Sequence, residues 1–454
     1  MSAPEMTLVA FLQAQNCSNL VASWRHPDTH LGYGTPEYYQ SIARTLEQGK
    51  FDLAFFDDRL AMPDVYGNDH RQSVENGVRA VKLDPVPILT AMGLCTSRLG
   101  LGATYSTTYY EPFHVARVFA TLDLLTKGRV AWNVVTSLNN SEAANFGALE
   151  HLAHDLRYER ADEFLEVVMG HWDTWEEGAL IHDKASGRFA DGEKVNRLDH
   201  TGHWFRSRGP FTVPRSDQGH PVLIQAGQSG RGSEFAARWG ELVFVIYPNI
   251  DVARKSYADF KRKVAEHGRD PAKVKVAPAV YVVTAETSAE AEDKKAAIDV
   301  LVKPVDALAL LSEALNFDLS SKKQDDPFTE DELRSITGLR AIIDRVIRLS
   351  GISNPTVHDF LRYSGRGTTA ELATFVGNHS EVADQMEEWF RTGACDGFVL
   401  AATNMPGSYE DFVRLIVPEL QHRGIFRREY TGATLRENLA LEIPRSGDWK
   451  GMYR

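Results

Sequence analysis

The residues best suited to chemistry gather in a few short stretches. GQSGRG, over 227–232, follows an apolar run and opens into a helical one. Its glycines permit a tight loop with converging backbone N–H groups, the helix start adds positive potential, and Ser229 and Arg231 can donate to phosphate oxygens. The loop, with Gly227, Ser229 and Gly230 at its heart, reads as a phosphate cradle; a plain flexible turn is the competing reading. The spacing fits neither GxGxxG nor GxxxxGK[ST], which leaves a mononucleotide rather than a dinucleotide or an ATP loop. In HLAHDLRYERADEF, His154 and Tyr158 lie four apart and project from one helical face toward a common ligand oxygen. His151 and His154 raise a metal alternative, but no HExxH or HxH accompanies them and no metal is expected. A solvated helix face is the bland alternative.

Other polar residues end apolar runs. RVAWNVVTSLNN puts Trp132, Asn133, Thr136 and Ser137 near a strand exit, where they can bond an isoalloxazine edge or a phosphate, or simply cap a turn. FFDD supplies Asp57 and Asp58, a carboxylate for a flavin or ribose donor, an N-cap or a partner of Arg59. Thr104, Ser106, Thr107 and Thr108 close another run. Phe11, Phe55 and Phe244 fall inside three strands, either as core or as an apolar pocket at one mouth.

The elements that must hold these residues alternate. β-branched and aromatic runs at 7–13, 53–57, 100–107, 129–137, 221–227, 242–247, 274–285 and 396–403 are apolar on both faces, as strands inside a parallel barrel are. Helical periods follow at 36–48, 85–97, 112–127, 154–171, 232–239, 252–267, 288–315 and 408–422. Eight strands each followed by a helix predict a (β/α)8 TIM barrel, whose active site lies at the C-terminal strand ends. Two insertions, about 172–218 and 318–372, and a tail over 424–454 complete a single domain.

Composition excludes other classes. Of 454 residues, 43% are hydrophobic and 25% charged, a globular balance, and the net charge of −12 repels a phosphate backbone, so no nucleic acid partner is expected. Cys17, Cys95 and Cys395 make no CxxC pair, which fits a reducing compartment. The first residues do not read as a secretory signal and no apolar run is long enough to span a bilayer, so a cytoplasmic location is expected. The Arg-bearing tail suits wrapping a second copy, and a homo-oligomer, dimer or tetramer, is expected.

Taken in order, GKFDLAFFDDRLA, TYSTTYYEPFHVARVFATLDLLTKGRVAWNVVTS, NNSEAANFG, HDLRYERADEFLEV, PVLIQAGQSGRGSEFAARWGELVF and SYEDFVRLIVPELQHRGIFRREY resemble the bacterial luciferase-like flavin monooxygenases. The resemblance covers almost the whole chain and is to the branch of nitrilotriacetate, dibenzothiophene sulfone and long-chain alkane monooxygenases. It implies a two-component enzyme using reduced FMN and O2, with the FMN delivered by a separate NAD(P)H:flavin reductase, to oxygenate a small organic, organosulfur or heteroaromatic substrate. By the same resemblance Asp58, Thr104, Asn133 and Ser137 match positions near the ring, ribityl chain or phosphate, and His154, Tyr158, Gly227, Ser229 and Gly230 match the phosphate end. Phe11, Phe55 and Phe244 match the substrate pocket, to which Trp132 is added. Where alkane-type relatives carry pocket histidines this chain has Ser18, Leu138 and about Ala314, which argues against alkane hydroxylation.

The flavin carries the oxygen chemistry in this reading, so no catalytic side chain is assigned, and the sequence offers no Ser-His-Asp or Cys-His set. The alternatives are a flavin- or deazaflavin-dependent reductase on the same barrel, a TIM-barrel hydrolase, and a non-catalytic scaffold. The hydrolase reading is disfavoured because the fourth strand lacks a catalytic Glu and VAFLQAQ lacks HxH.

Overall fold

The computed structural model describes residues 5–16, 19–148, 151–228, 230–448 and 450. Nine parallel strands form one sheet: β1 (Thr7–Gln13), β2 (Leu53–Asp57), β3 (Gly100–Ser106), β4 (Val130–Val135), β5 (Val222–Gln225), β6 (Leu242–Val245), β7 (Lys275–Thr284), β8 (Ala373–Gly377) and β9 (Gly397–Ala401). The hydrogen-bonded order β6-β5-β4-β3-β2-β1-β9-β7 closes through a β6–β7 pairing, and β8 hangs on the far half of β7. The eight-membered ring is the expected TIM barrel. The additional strand β8, ATFVG, was not foreseen: it is short and partly buried, and it borders the loop-like second insertion.

Helices α1 (Pro36–Gln48), α2 (Pro85–Gly93), α3 (Pro112–Leu125), α4 (His154–Trp172), α5 (Gly230–Trp239), α6 (Ile250–Glu266), α7 (Ser288–Asp299), α8 (Pro304–Leu315), α9 (Arg340–Ser350) and α10 (His379–Arg391) supply most of the helical framework. Proline occupies the first turn of α1, α2 and α3, where its missing N–H costs nothing. The single helix expected over 288–315 is two helices, because Pro304 cannot continue the ladder and starts α8 instead. The second insertion carries α9 and further short helices over Glu330–Ser335 and Val357–Tyr363.

Strand alternation divides the core. Val9, Leu53, Ala131, Ile224 and Leu242 fill the barrel, while Leu8, Ala54, Trp132 and Leu223 face the helices. The barrel's lower end is closed by the chain itself: Leu435, Leu439 and Leu441 join the interior cluster, and buried Arg436 reaches both oxygens of Glu241 at 2.7 and 2.9 Å. This part of the tail, for which wrapping a second copy was expected, packs on its own barrel. Among the described residues no helix is long and apolar enough to cross a membrane.

Candidate functional site

At the C-terminal ends of the strands opens a cavity of about 700 Å³, within the range of small-molecule and cofactor sites. Its floor is aromatic. Phe11 and Phe55 are register partners on β1 and β2, and their rings stack with centroids 5.4 Å apart. Phe244 of β6 meets Phe11 edge-on at 5.3 Å. Gly102 pairs with Phe55 on its other side, and a Cβ there would press on Ile224 and Leu53 inside the barrel, 3.3 and 3.4 Å away.

Above the floor lies a polar wall from β3 and β4. Thr104 donates its hydroxyl to the Phe56 carbonyl at 2.9 Å and accepts from Asn133 Nδ2 at 2.9 Å, an orientation that leaves buried Asn133 Oδ1 without a partner on the cavity. Ser137, in left-handed backbone conformation at φ 52°, donates to Ser106 Oγ at 2.9 Å.

The remaining wall comes from α4 and the loop before α5. Gly227 and Gly232 fold onto each other so tightly that a Cβ on Gly227 would stand 2.3 Å from the Gly232 carbonyl, and one on Gly232 2.7 Å from the Tyr158 hydroxyl. Burial pushes the Tyr158 phenol up despite Thr136, Arg157 and Arg231 nearby, so it stays protonated. His154 packs edge-on against the Tyr158 ring at 5.1 Å. Gly230 begins α5 beside the cavity without lining it, and Ser229, like Cys17 and Ser18, lies outside the described residues. Arg231, read as a phosphate donor, instead pairs with Asp162.

Arg157, between His154 and Tyr158, belongs to this wall although no spacing in the sequence marks it. Its guanidinium lines the cavity, is mostly buried, and donates to the Ser137 carbonyl and to His151 Nε2. Burial and Arg157 together hold His151 down to about 4, so the ring is neutral at pH 7. Both partners of Arg157 are therefore uncharged, no carboxylate pairs with it among the described residues, and its Nε has no partner. A mostly buried guanidinium that makes no ion pair among the described residues, with the Glu142 carboxylate acting on it only from beyond contact, fits an anionic ligand. The two histidines thus do separate work: His151 bonds Arg157, and His154 pairs with Asp155. No group of three or more metal-ligating side chains occurs among the described residues.

Two strand-end carboxylates differ sharply. Although burial alone raises Asp57, Lys82 at 3.0 Å, Arg79 and Gln13 hold it below its ordinary range. Asp58 is raised to about 7, chiefly by burial, with Asp57 and Asp84 adding and Lys82 opposing.

Trp132, assigned to the substrate pocket, is not there. It is fully buried on the helix side of β4, against Phe119, Phe164 and Trp172, and donates its indole N–H to the Tyr105 carbonyl at 3.2 Å. Period two allows only one of Trp132 and Asn133 to face the cavity, and Asn133 does. Phe11, Phe55, Phe244, Asp58, Thr104, Asn133, Ser137, His154, Tyr158 and Gly227 all line it. Of the two insertions only the second contributes, through residues including Leu339, Arg366 and Leu372; the first packs against α4, where Glu163 accepts from Trp204 and Phe205.

A parallel barrel whose C-terminal mouth joins an aromatic floor, an open amide oxygen and a buried cation has the design of a barrel oxidoreductase for a planar, anionic cofactor. Residues 18–396 match the luciferase-like monooxygenase model, and the chain belongs to this family of flavin-dependent monooxygenases. It is 44% identical over 444 residues to a dibenzothiophene-sulfone monooxygenase of Rhodococcus erythropolis, covering 97% of each chain. It is 40% identical to the N-acetyl-S-(2-succino)cysteine monooxygenase of Bacillus subtilis, over 93% of this chain and 94% of that one. A riboflavin lyase crystallised with modified FMN and riboflavin superposes with a TM-score of 0.89 at 33% identity, over 99% of this chain and 100% of that one.

Proposed function

We propose that the protein is the oxygenase component of a two-component system, taking reduced FMN from a separate NAD(P)H:flavin reductase and oxygenating a small organosulfur or heteroaromatic molecule. The observation that carries the FMN reading is Arg157, a buried cation that makes no ion pair with a carboxylate among the described residues, beside Tyr158 and the Gly227–Gly232 contact. These residues would hold the phosphate, with His154 at the rim and Ser229 and Gly230 in the adjoining loop. Asn133 Oδ1 would accept from a ring N–H, and Thr104 keeps that amide turned the right way. Phe11, Phe55 and Phe244 would bind the substrate's apolar body and exclude water.

When bound, reduced FMN supplies two electrons to O2, one oxygen atom going to the substrate and the other to water. The chain's own part is to orient both partners, keep the pocket dry and hold a proton on Asp58. The reading also takes the chain as one domain with two insertions, working as a homo-oligomer in the cytoplasm, where the thiols of Cys95 and Cys395 stay reduced.

Purified protein supplied with FMN, NADH and a flavin reductase should consume O2 in a substrate-dependent way across a panel of sulfones, thioethers and heteroaromatics. No FMN binding, or no such uptake across the panel, would sink the reading.

A further inference from the structure

The cavity carries a second concentration of positive charge, from the segments after β2 and from the second insertion. Around the barrel ring β5 stands across from β1 and β4 across from β9, and buried Glu313, at the centre of this charge, accepts from Asn139 Nδ2, beyond the β4 exit, at 3.3 Å. There Arg59 and Arg79 approach the two oxygens of buried Glu313 at 3.4 and 3.3 Å. Arg366, from the insertion, pairs with Glu371, while its Nε is buried with no hydrogen-bond partner. Arg340, at the rim, donates to the Leu333 carbonyl at 2.9 Å.

Counting Arg157, five guanidiniums line the cavity against the carboxylates of Asp57, Asp58, Glu142 and Glu371. Glu142 is engaged by the backbone N–H groups of Leu60, Leu138 and Asn139, and Asp57 by Lys82. Asp58, raised to about 7, carries only part of its charge at pH 7. Guanidiniums held in a half-buried wall favour a planar oxyanion that can take two N–H bonds at once. Leu339 and Leu372 adjoin them, so the charge sits at the edge of an apolar space.

Resting on the flavin reading above, we infer that the substrate is itself an anion: an apolar or aromatic sulfur compound whose body lies on Phe11, Phe55 and Phe244 and whose carboxylate, sulfinate or sulfonate docks on Arg366 with Arg59 and Arg79. This separates the chain from an oxygenase built for a neutral sulfone, since Arg59, Arg79 and Arg366 are three guanidiniums facing the two carboxylates Glu313 and Glu371, and a substrate anion would balance the remaining charge.

A matched pair tests it: (phenylthio)acetate and its methyl ester, titrated calorimetrically against the full-length protein with and without oxidised FMN. FMN binding is measured first, without either probe, so failure of the flavin reading appears there, while the anion seat is read from the ratio of the two probes. The carboxylate should bind at least about ten-fold more tightly than the ester, and its advantage should shrink with added salt. Arg366→Gln should erase the preference and leave FMN affinity unchanged, and Arg366→Lys should restore part of it. The salt dependence needs no variant, so a poorly folding substitution does not protect the idea. Equal binding, preference for the ester, or binding of neither probe overturns it. Sulfate binding as tightly as the carboxylate reduces the site to a general anion seat and also overturns it. Weakened affinity of Arg366→Gln for FMN but not riboflavin would reassign the guanidinium to the cofactor phosphate.

Discussion

Asn133 gives its amide N–H to Thr104 because the Thr104 hydroxyl is already committed to the Phe56 carbonyl, and so the Asn133 oxygen faces the cavity with no partner. The orientation depends on the hydroxyl. Thr104→Val removes the acceptor and frees the amide to turn, whereas Thr104→Ser keeps it. Substrate-dependent O2 uptake should fall by about 10²-fold in Thr104→Val and Asn133→Leu, the scale of losing one preorganised hydrogen-bonding group in an active site, and by far less in Thr104→Ser. A Thr104→Val enzyme as fast as the wild type would show that the amide's direction is irrelevant.

Arg157 gives a prediction in two parts. Replacing a buried guanidinium that makes no ion pair among the described residues by glutamine removes a desolvation cost from the cofactor-free protein, so Arg157→Gln should melt no lower than wild type without ligand. The same variant should lose roughly ten-fold or more in FMN affinity while binding riboflavin as before. Flavin fluorescence titrations and thermal melts check both halves; an equal loss for FMN and riboflavin would contradict the assignment of Arg157 to phosphate.

Gly232 is held to hydrogen by its neighbours. A methyl group would stand 2.7 Å from the Tyr158 hydroxyl and 3.3 Å from the Gly227 Cα. The tyrosine can yield only by leaving the cavity wall. Gly232→Ala should cost about 1–3 kcal/mol in stability as an overpacked site and weaken FMN binding. Combined with Tyr158→Phe, which removes the crowded oxygen, it should regain most of the stability. If the double variant is as unstable as the single, the clash lies elsewhere.

The eight ring strands were legible because each is a short β-branched or aromatic run, and the tight approach of Gly227 and Gly232 was legible because glycine spacing is a local signal. Trp132 was misplaced although strict alternation from Asn133 would have turned it outward. Arg157 was passed over because an arginine in a charged helical stretch reads as solvated, and only the fold shows that its neighbours are a carbonyl and a neutral imidazole. Arg59, Arg79 and Arg366 come from separate segments and meet at Glu313 only through the second insertion and α8, so no spacing in the chain announces them. Gly232 differs from Gly230 by what lies opposite it, which is likewise a property of the packed structure.

Asp58 sets the pH behaviour. Its carboxyl is raised from 3.8 to about 7, by burial first, so the folded chain holds this proton more tightly than the unfolded chain does. Between about pH 4 and 7 the native state therefore binds more protons, and the contribution of this group to stability falls as pH rises, levelling off above pH 7. The whole shift corresponds to at most about 4 kcal/mol. Asp58→Asn has no such slope. Urea melts should show its stability relative to wild type growing from pH 4 to 7 and then holding constant. In turnover, substrate-dependent O2 uptake by the wild type should carry a limb near pH 7, where the cavity gains a negative charge, and the variant should lack it. Parallel stability profiles for the two proteins across this window would mean that Asp58 is already ionised well below pH 7, and would remove it as the group that holds a proton in the pocket.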